Sequence, residues 1–206
     1  MNRVCVFIDG GSFYFALKRN NFHTRVDYHE MSKALAGPDR TLVRSYYYNS
    51  AYDPALFPEQ SKSQQPFFDS LAKMPFLEVR LGRIIPTREG GFKEKGSNVR
   101  MAVDMIYYAA LKRYDTAIVF TEDTDIAPAL GSIREFGVNV EMAFFPDIQP
   151  RELVKMADLI VPLHDVFEKY GTQIFPEENI GNRLEEVSAA KRSAGAGLKS
   201  GIKRRK

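Results

Sequence analysis

Four aspartates end or interrupt apolar stretches in three separate parts of the chain: Asp9 in VCVFIDGG, Asp104 in KGSNVRMAVDMIYYA, and Asp123 with Asp125 in AIVFTEDTD. An apolar run that stops at a carboxylate, twice in one chain, reads as two buried parallel strands delivering acids to the carboxyl edge of a sheet, where α/β folds keep their sites. Carboxylates gathered there repel one another unless a positive charge stands between them. A hard divalent cation, Mg²⁺ or Mn²⁺, meets that need, because it prefers oxygen ligands and completes its shell with water and phosphate oxygens. The chemistry such a site supports is metal-assisted hydrolysis of a phosphoester.

The elements that must position these acids alternate along the chain. A buried strand is predicted over Arg3 to Ile8, then a turn at Gly10-Gly11 and a helix over Ser12 to Asn20. A short helical stretch near Tyr28 to Ala36, a strand over Thr41 to Tyr48, a helix over Ser63 to Lys73 and an alternating strand over Leu77 to Ile85 come next. The clearest helix spans Ser97 to Lys112, with Val99, Ala102, Val103, Ile106, Ala109 and Ala110 as its expected apolar face. Strand AIVFT, a helix over Ile126 to Phe136, strand VNVEMAFF, a helix over Pro150 to Ala157, the stretch Leu159 to Leu163 and a helix to Tyr170 complete the pattern. Strands spaced by helices give an α/β fold: a central, mainly parallel sheet with helices on both faces.

At 206 residues and 44% hydrophobic, the chain can bury one full core. No apolar run is long enough to span a bilayer, and the start leads straight into a strand without signal-peptide organisation, so the expected location is the cytoplasm. The single cysteine, Cys5, excludes an internal disulfide and a multi-cysteine zinc site, and its place in the first strand makes it a small buried hydrophobe. Residues 188–206 hold seven of the 29 basic residues and none of the 26 acidic ones, leaving 22 basic against 26 acidic in the body. That tail is expected to be disordered, and is either an electrostatic arm for nucleic acid or a solvated appendage.

FIDGGSFY, YYYN, the KGSNVRMAVDM block, VFTEDTDIAPAL and ADLIVPL resemble, in order and spacing, the NYN domain, a PIN-like nuclease group that includes the LabA-like (DUF88) proteins. The resemblance covers about residues 3–168 and assigns 1–172 to the domain and 173–206 to a C-terminal extension. It implies a PIN-like three-layer α/β/α sandwich, an acidic cluster binding Mg²⁺ or Mn²⁺, and RNA, single-stranded or structured, as substrate. By that similarity Asp9, Asp123 and Asp125 are both metal-ligating and catalytic, with Asp104 as a further acid. Thr121 keeps the hydroxyl of the family's S-G-D-x-D pattern, Glu122 replaces its glycine, and Ser12 stands where the family commonly has Asn. Asn98 occupies the place of an aspartate in the family's K-G-V-D-V block, and its amide ligates without charge, so the metal should be held more weakly. Asn98 also reads as a helix N-cap, and both roles stay open. In a continuous helix Asp104 lies about 240° around from Asn98, so the two cannot face one ion.

Substrate contacts are expected from Ser12, Lys95, Thr121, Tyr48 and Arg83. Lys95 can hold a phosphate as a point charge or be a solvated loop residue. Tyr46 to Tyr48 beside Arg80 and Arg83 suit stacking on unpaired bases, or alternately the core. No dinucleotide or P-loop fingerprint surrounds Gly10-Gly11, and His23, His29 and His164 fall outside the acidic motifs. Aromatics around Phe57, Phe67 and Phe68 suit an interface, with a second copy or another protein, and for Phe67 and Phe68 the core packing of one helix serves equally well. The leading reading is a metal-dependent ribonuclease. The alternatives are an RNA-binding or regulatory module with a degenerate metal site, and a metal phosphohydrolase acting on small phosphoesters.

Overall fold

In the computed structural model, which describes residues 1–87 and 91–175, β1 (Arg3–Asp9) is buried along nearly its whole length. Its apolar side chains divide by alternation: Val4, Val6 and Ile8 enter one hydrophobic cluster, Cys5 and Phe7 the other. This is the pattern of a central strand in a parallel sheet covered on both faces. β1 pairs in parallel with β2 (Thr41–Tyr52) on one side and with β5 (Thr116–Phe120) on the other. β3 (Leu77–Pro86) continues beyond β2, while β6 (Asn139–Phe144) and β7 (Leu159–Pro162) continue beyond β5, all parallel. β4 (Phe92–Lys95) alone runs antiparallel, closing the β3 edge. The order is therefore β4-β3-β2-β1-β5-β6-β7. The chain builds outward from β1 in one direction, then crosses back to build in the other. The crevice at the carboxyl ends of β1 and β5 is the topological switch point.

Helices flank this sheet. α1 (Gly10–Arg19), α2 (Tyr28–Ala36), α3 (Pro58–Ala72) and α7 (Leu163–Ile174) contribute to the cluster that holds Val6 and Ile8. α4 (Ser97–Ala110), α5 (Ala127–Glu135) and the short α6 (Arg151–Val154) contribute to the one that holds Phe7. No helix of the described residues is long and apolar enough to cross a membrane. The basic stretch from residue 188 lies outside the described residues.

Several elements differ from the sequence reading. α1 starts two residues early, at Gly10, because Asp9 caps it. α3 starts at Pro58, where proline suits the first turn of a helix. β4 is a strand that its charged sequence, FKEK, does not advertise. The largest difference is the face of α4. Its buried residues are Ser97, Met101, Met105 and Ala109, whereas Val99 is 69% and Val103 57% exposed. The helix has two apolar faces, and the flexible methionines fill the space beside Tyr46 and Tyr48. All three tyrosines of the YYY run are core: Tyr46 and Tyr48 on the α4 side, Tyr47 on the α1 side. Cys5 is buried, and burial pushes its thiol up to about 12, which leaves it an unreactive hydrophobe.

Candidate active site

Asp9 ends β1 and is the N-cap of α1, so one residue belongs to both elements. Its Oδ1 accepts from the backbone N–H of Gly11 (3.1 Å) and Ser12 (3.2 Å). Its Oδ2 accepts from the hydroxyls of Ser12 (2.5 Å) and Thr121 (3.1 Å). The turn is tight enough to need Gly10: a Cβ there would sit 2.1 Å from Cζ of the buried Tyr47 ring. Burial above all, with Asp9 and Glu94 adding to it, pushes the Tyr47 phenol up to about 12.

β5 lies beside β1, and the segment after it completes the arrangement. Thr121 is fully buried; its Oγ1 donates to Asp9 and accepts from the N–H of Asp123 (3.1 Å), tying the two strand ends together. Asp123 caps the 3₁₀ turn Thr124–Ile126, its Oδ1 accepting from the Asp125 N–H (2.9 Å). Its Oδ2 accepts from the Asn98 amide. Glu122, the residue in place of the family's glycine, turns to Arg19, which also pairs with Asp147 (2.9 Å).

The structure brings Asp9, Ser12, Lys95, Asn98, Asp123 and Asp125 onto one cleft of about 940 Å³. It does not bring the others there. Asp104 points away from the cleft, accepting from the Tyr48 hydroxyl (3.1 Å) and facing Arg80 (3.6 Å). Tyr48 is fully buried, and burial together with Asp104 holds its phenol far above the usual range, so it offers no surface for a base to stack on. Arg83 is exposed on β3, opposite Lys95 of β4, and does not line the cleft. Thr121 lies beneath the floor and orients Asp9, where the sequence reading expected it to touch substrate. Asn98 is not the helix cap: that position is Gly96, in the left-handed region at φ 94°, and Asn98 sits one residue inside the helix.

Several cleft residues went unmarked in the sequence, Glu94 and Phe15 among them. Glu94 comes from β4, whose run of charges looks like solvated loop. Phe15, 61% exposed, comes from the face of α1 opposite its buried Phe13 and Leu17. The only hint for Phe15 was its spacing, two residues from Phe13 and two from Leu17, which puts it off the buried stripe.

The fit of these residues to a divalent cation has two sides. The donor set is all oxygen, which suits a hard ion. Gly11 leaves a gap between two of the acids: a Cβ there would stand 3.5 Å from Asp9 Oδ1 and 3.7 Å from Glu94 Oε1. Against this, among the described residues no three acid, histidine or cysteine side chains converge as a metal-binding group. Asp9 already accepts four hydrogen bonds, about the capacity of a carboxylate, and Asn98 presents its amide N–H to Asp123. The chemistry of the donors fits; their present hydrogen bonds are those of a self-satisfied cap.

Comparison with known proteins agrees with this architecture. The structure is similar to a protein of unknown function, VPA0982, from Vibrio parahaemolyticus, with a TM-score of 0.61 at 21% identity, covering 80% of this chain and 94% of that one. That likeness speaks to the fold alone. Acinetobacter baumannii MurG aligns at 11% identity over 78% of this chain and 41% of its own, but a TM-score of 0.41 carries no argument. No curated protein matches the sequence. The NYN domain matches residues 3–164, most of the described chain and all of its sheet, and the chain belongs to the NYN-domain family.

Proposed function

We propose that this chain is a metal-dependent ribonuclease that hydrolyses RNA phosphodiester bonds in the cleft at the ends of β1 and β5, using Mg²⁺ or Mn²⁺. The NYN domain is a PIN-like nuclease family, which suggests a nuclease. The observation that carries the reading is the junction of Asp9 and Asp123 through Thr121, across neighbouring strands at the switch point. With it go two further proposals: the flanked sheet is a PIN-like three-layer sandwich, and the domain expected over residues 1–172 takes in the end of α7 as well, because Ile174 and Phe175 are buried in the core, leaving the rest of 173–206 as an extension.

Asp9, Asp123 and Asp125, with the Asn98 oxygen, would hold the ion. When bound, such an ion lowers the pKa of a water and neutralises charge that builds on the phosphorus oxygens. The chain's own residues do the rest. Ser12 and Thr121 fix the orientation of Asp9, and Asn98 fixes that of Asp123. The Asp125 carboxylate makes no hydrogen bond or ion pair among the described residues, which leaves it available to a ligand. Lys95, exposed at the rim and likewise unpaired, offers a point charge to a phosphate.

A second reading, an RNA-binding module without turnover, is favoured by one observation: Asn98 supplies an amide donor to Asp123 where the family places a charge. Cleavage of end-labelled single-stranded and hairpin RNAs in Mn²⁺, Mg²⁺ or EDTA, beside Asp123→Asn, separates the two. Metal-dependent cutting that the substitution abolishes supports the nuclease. Intact RNA that is nevertheless retarded in EDTA means a binding module, and release of inorganic phosphate from small phosphoesters with RNA untouched means a different hydrolase.

Asn98→Asp is a gain-of-charge variant with a signed expectation. It replaces a hydrogen bond to Asp123 with two facing carboxylates, so the protein should melt lower than wild type in EDTA. Mn²⁺ should restore the loss and shift melting upward by more than it shifts wild type, since binding to the folded state alone stabilises it. Equal Mn²⁺ shifts in the two proteins would remove residue 98 from the metal site.

A further inference from the structure

The cleft has two chemistries. Its floor is acidic, but its upper walls are apolar: Phe15 on α1 faces the space bounded by Val99, Val103 and their neighbours on α4. These are among the most exposed large hydrophobic residues of the described chain, at 61%, 69% and 57%. Phe15 is braced from one side. Tyr14 meets it edge-on at 5.5 Å, and Tyr14 is itself covered by the Lys18 ammonium at 4.6 Å from its centroid. Phe15 itself lines the cleft.

We infer that Phe15, with Val99 and Val103 opposite, forms a slot for an unpaired nucleobase, and that this slot makes the site select single-stranded over duplex RNA. The inference rests on the nuclease reading, which puts a phosphate over Asp9 and Asp123. The ligand such a cleft accepts must be flat and apolar on one part and anionic on the next. A nucleotide has that form, and Lys93 and Lys95 along the rim, unpaired among the described residues, complement its backbone. A second copy of the chain or another protein would have to match the carboxylates of Asp9, Glu94, Asp123 and Asp125 with basic groups beside an apolar surface, because burying them unpaired carries a desolvation cost. A paired base has its faces covered by its stacked neighbours and cannot enter; a splayed one can.

The chain contains no tryptophan, so Phe15→Trp places a single tryptophan in the slot, excited selectively at the red edge away from the tyrosines. Binding is measured in Ca²⁺ and in EDTA with a short oligoadenylate and with a blunt-ended two-strand duplex, by anisotropy of labelled RNA and by tryptophan emission with unlabelled RNA. The expected results are quenching of Phe15→Trp by the single strand but not the duplex, and an affinity loss of about 5- to 100-fold in Phe15→Ala. Phe136→Trp, an exposed site at the far end of α5, should bind the RNA without a change in emission. If Phe15→Trp binds RNA with unaltered emission, or Phe15→Ala binds like wild type, the slot is wrong and the nuclease reading stands. Emission that follows protein concentration and ignores RNA would make this face a contact between copies and overturn the inference. If no variant binds RNA and the wild type does not cut it in Mn²⁺, both readings fall.

Discussion

Asp9→Asn is expected to lower RNA cleavage by about two to three orders of magnitude while leaving the melting temperature close to that of the wild type. The two effects separate because Asp9 does two jobs. As the N-cap of α1 it needs only an oxygen facing the N–H groups of Gly11 and Ser12, and asparagine caps helices as well as aspartate does. On the other side, the Ser12 and Thr121 hydroxyls that now donate to Oδ2 can rotate and accept from the new amide instead. The charge, which asparagine cannot supply, is what an ion and a developing phosphorane require. Asp9→Ala should lose both jobs: the same collapse in rate, plus about 1–2 kcal/mol of stability from the missing cap, or about 2–8 °C for a chain of this size. Cleavage rates at saturating Mn²⁺ beside thermal melts of the three proteins give the comparison. An Asp9→Asn protein that still cuts at a tenth of the wild-type rate or better would reduce Asp9 to a helix cap.

Gly10→Ala should be strongly damaging for the addition of a single methyl group, with the closest Cβ approach of the described glycines. The built Cβ lies 2.1, 2.3 and 2.6 Å from the Cζ, hydroxyl oxygen and Cε1 of Tyr47, well inside contact distance. Tyr47 cannot give way. Its ring meets Tyr28 at 4.9 Å and Phe67 at 6.0 Å, and its hydroxyl accepts from the Asn49 amide (3.2 Å). Overpacking against so fixed a ring should cost about 3 kcal/mol, or about 6–12 °C in melting temperature. Because the clash is with one ring, Tyr47→Val in the same chain should return part of the loss, leaving a double mutant more stable than the sum of the single changes allows. A Gly10→Ala protein melting within about 2 °C of wild type, less than 1 kcal/mol at this chain length, would show that the turn after β1 can shift. It would also show that Asp9 is held less firmly than its hydrogen bonds suggest.

How much of this was legible in the residues depends on how each element is written. β1 and β5 are buried on both faces, so they read as unbroken apolar runs, and the acids at their ends mark where the runs stop. Helical geometry alone set Asn98 and Asp104 on different sides of α4, and the structure has the first on Asp123 and the second on Tyr48. Three things were not legible. Glu94 sits on a four-residue edge strand with every side chain exposed, so no hydrophobic alternation betrays it. The buried face of α4 could not be chosen by periodicity, because valines line one side and methionines the other, and only the tyrosines of β2 decide between them. Tyr48 looked like a strand end because the apolar pattern fades there. The strand in fact continues to Tyr52, paired with β3 through Ser50 and Ala51, which carries Tyr48 away from any edge.

The strand order also dictates how this protein must be made. β1 is the first strand of this sheet to leave the ribosome and ends as its middle, so it has to wait for partners on both sides. One comes early, as β2 follows after two helices; the other, β5, is more than a hundred residues downstream. In that interval the nascent chain can assemble half a sheet, from β1 to β4, with the edge of VCVFI uncovered. Unpaired apolar edges of this kind recruit other chains. The far rim of the half-sheet is guarded by Lys93 and Lys95 on β4, but β1 has no such guard until the second half arrives. Slow closure across the centre, rather than weakness of the finished core, is where synthesis of this protein is most exposed to failure.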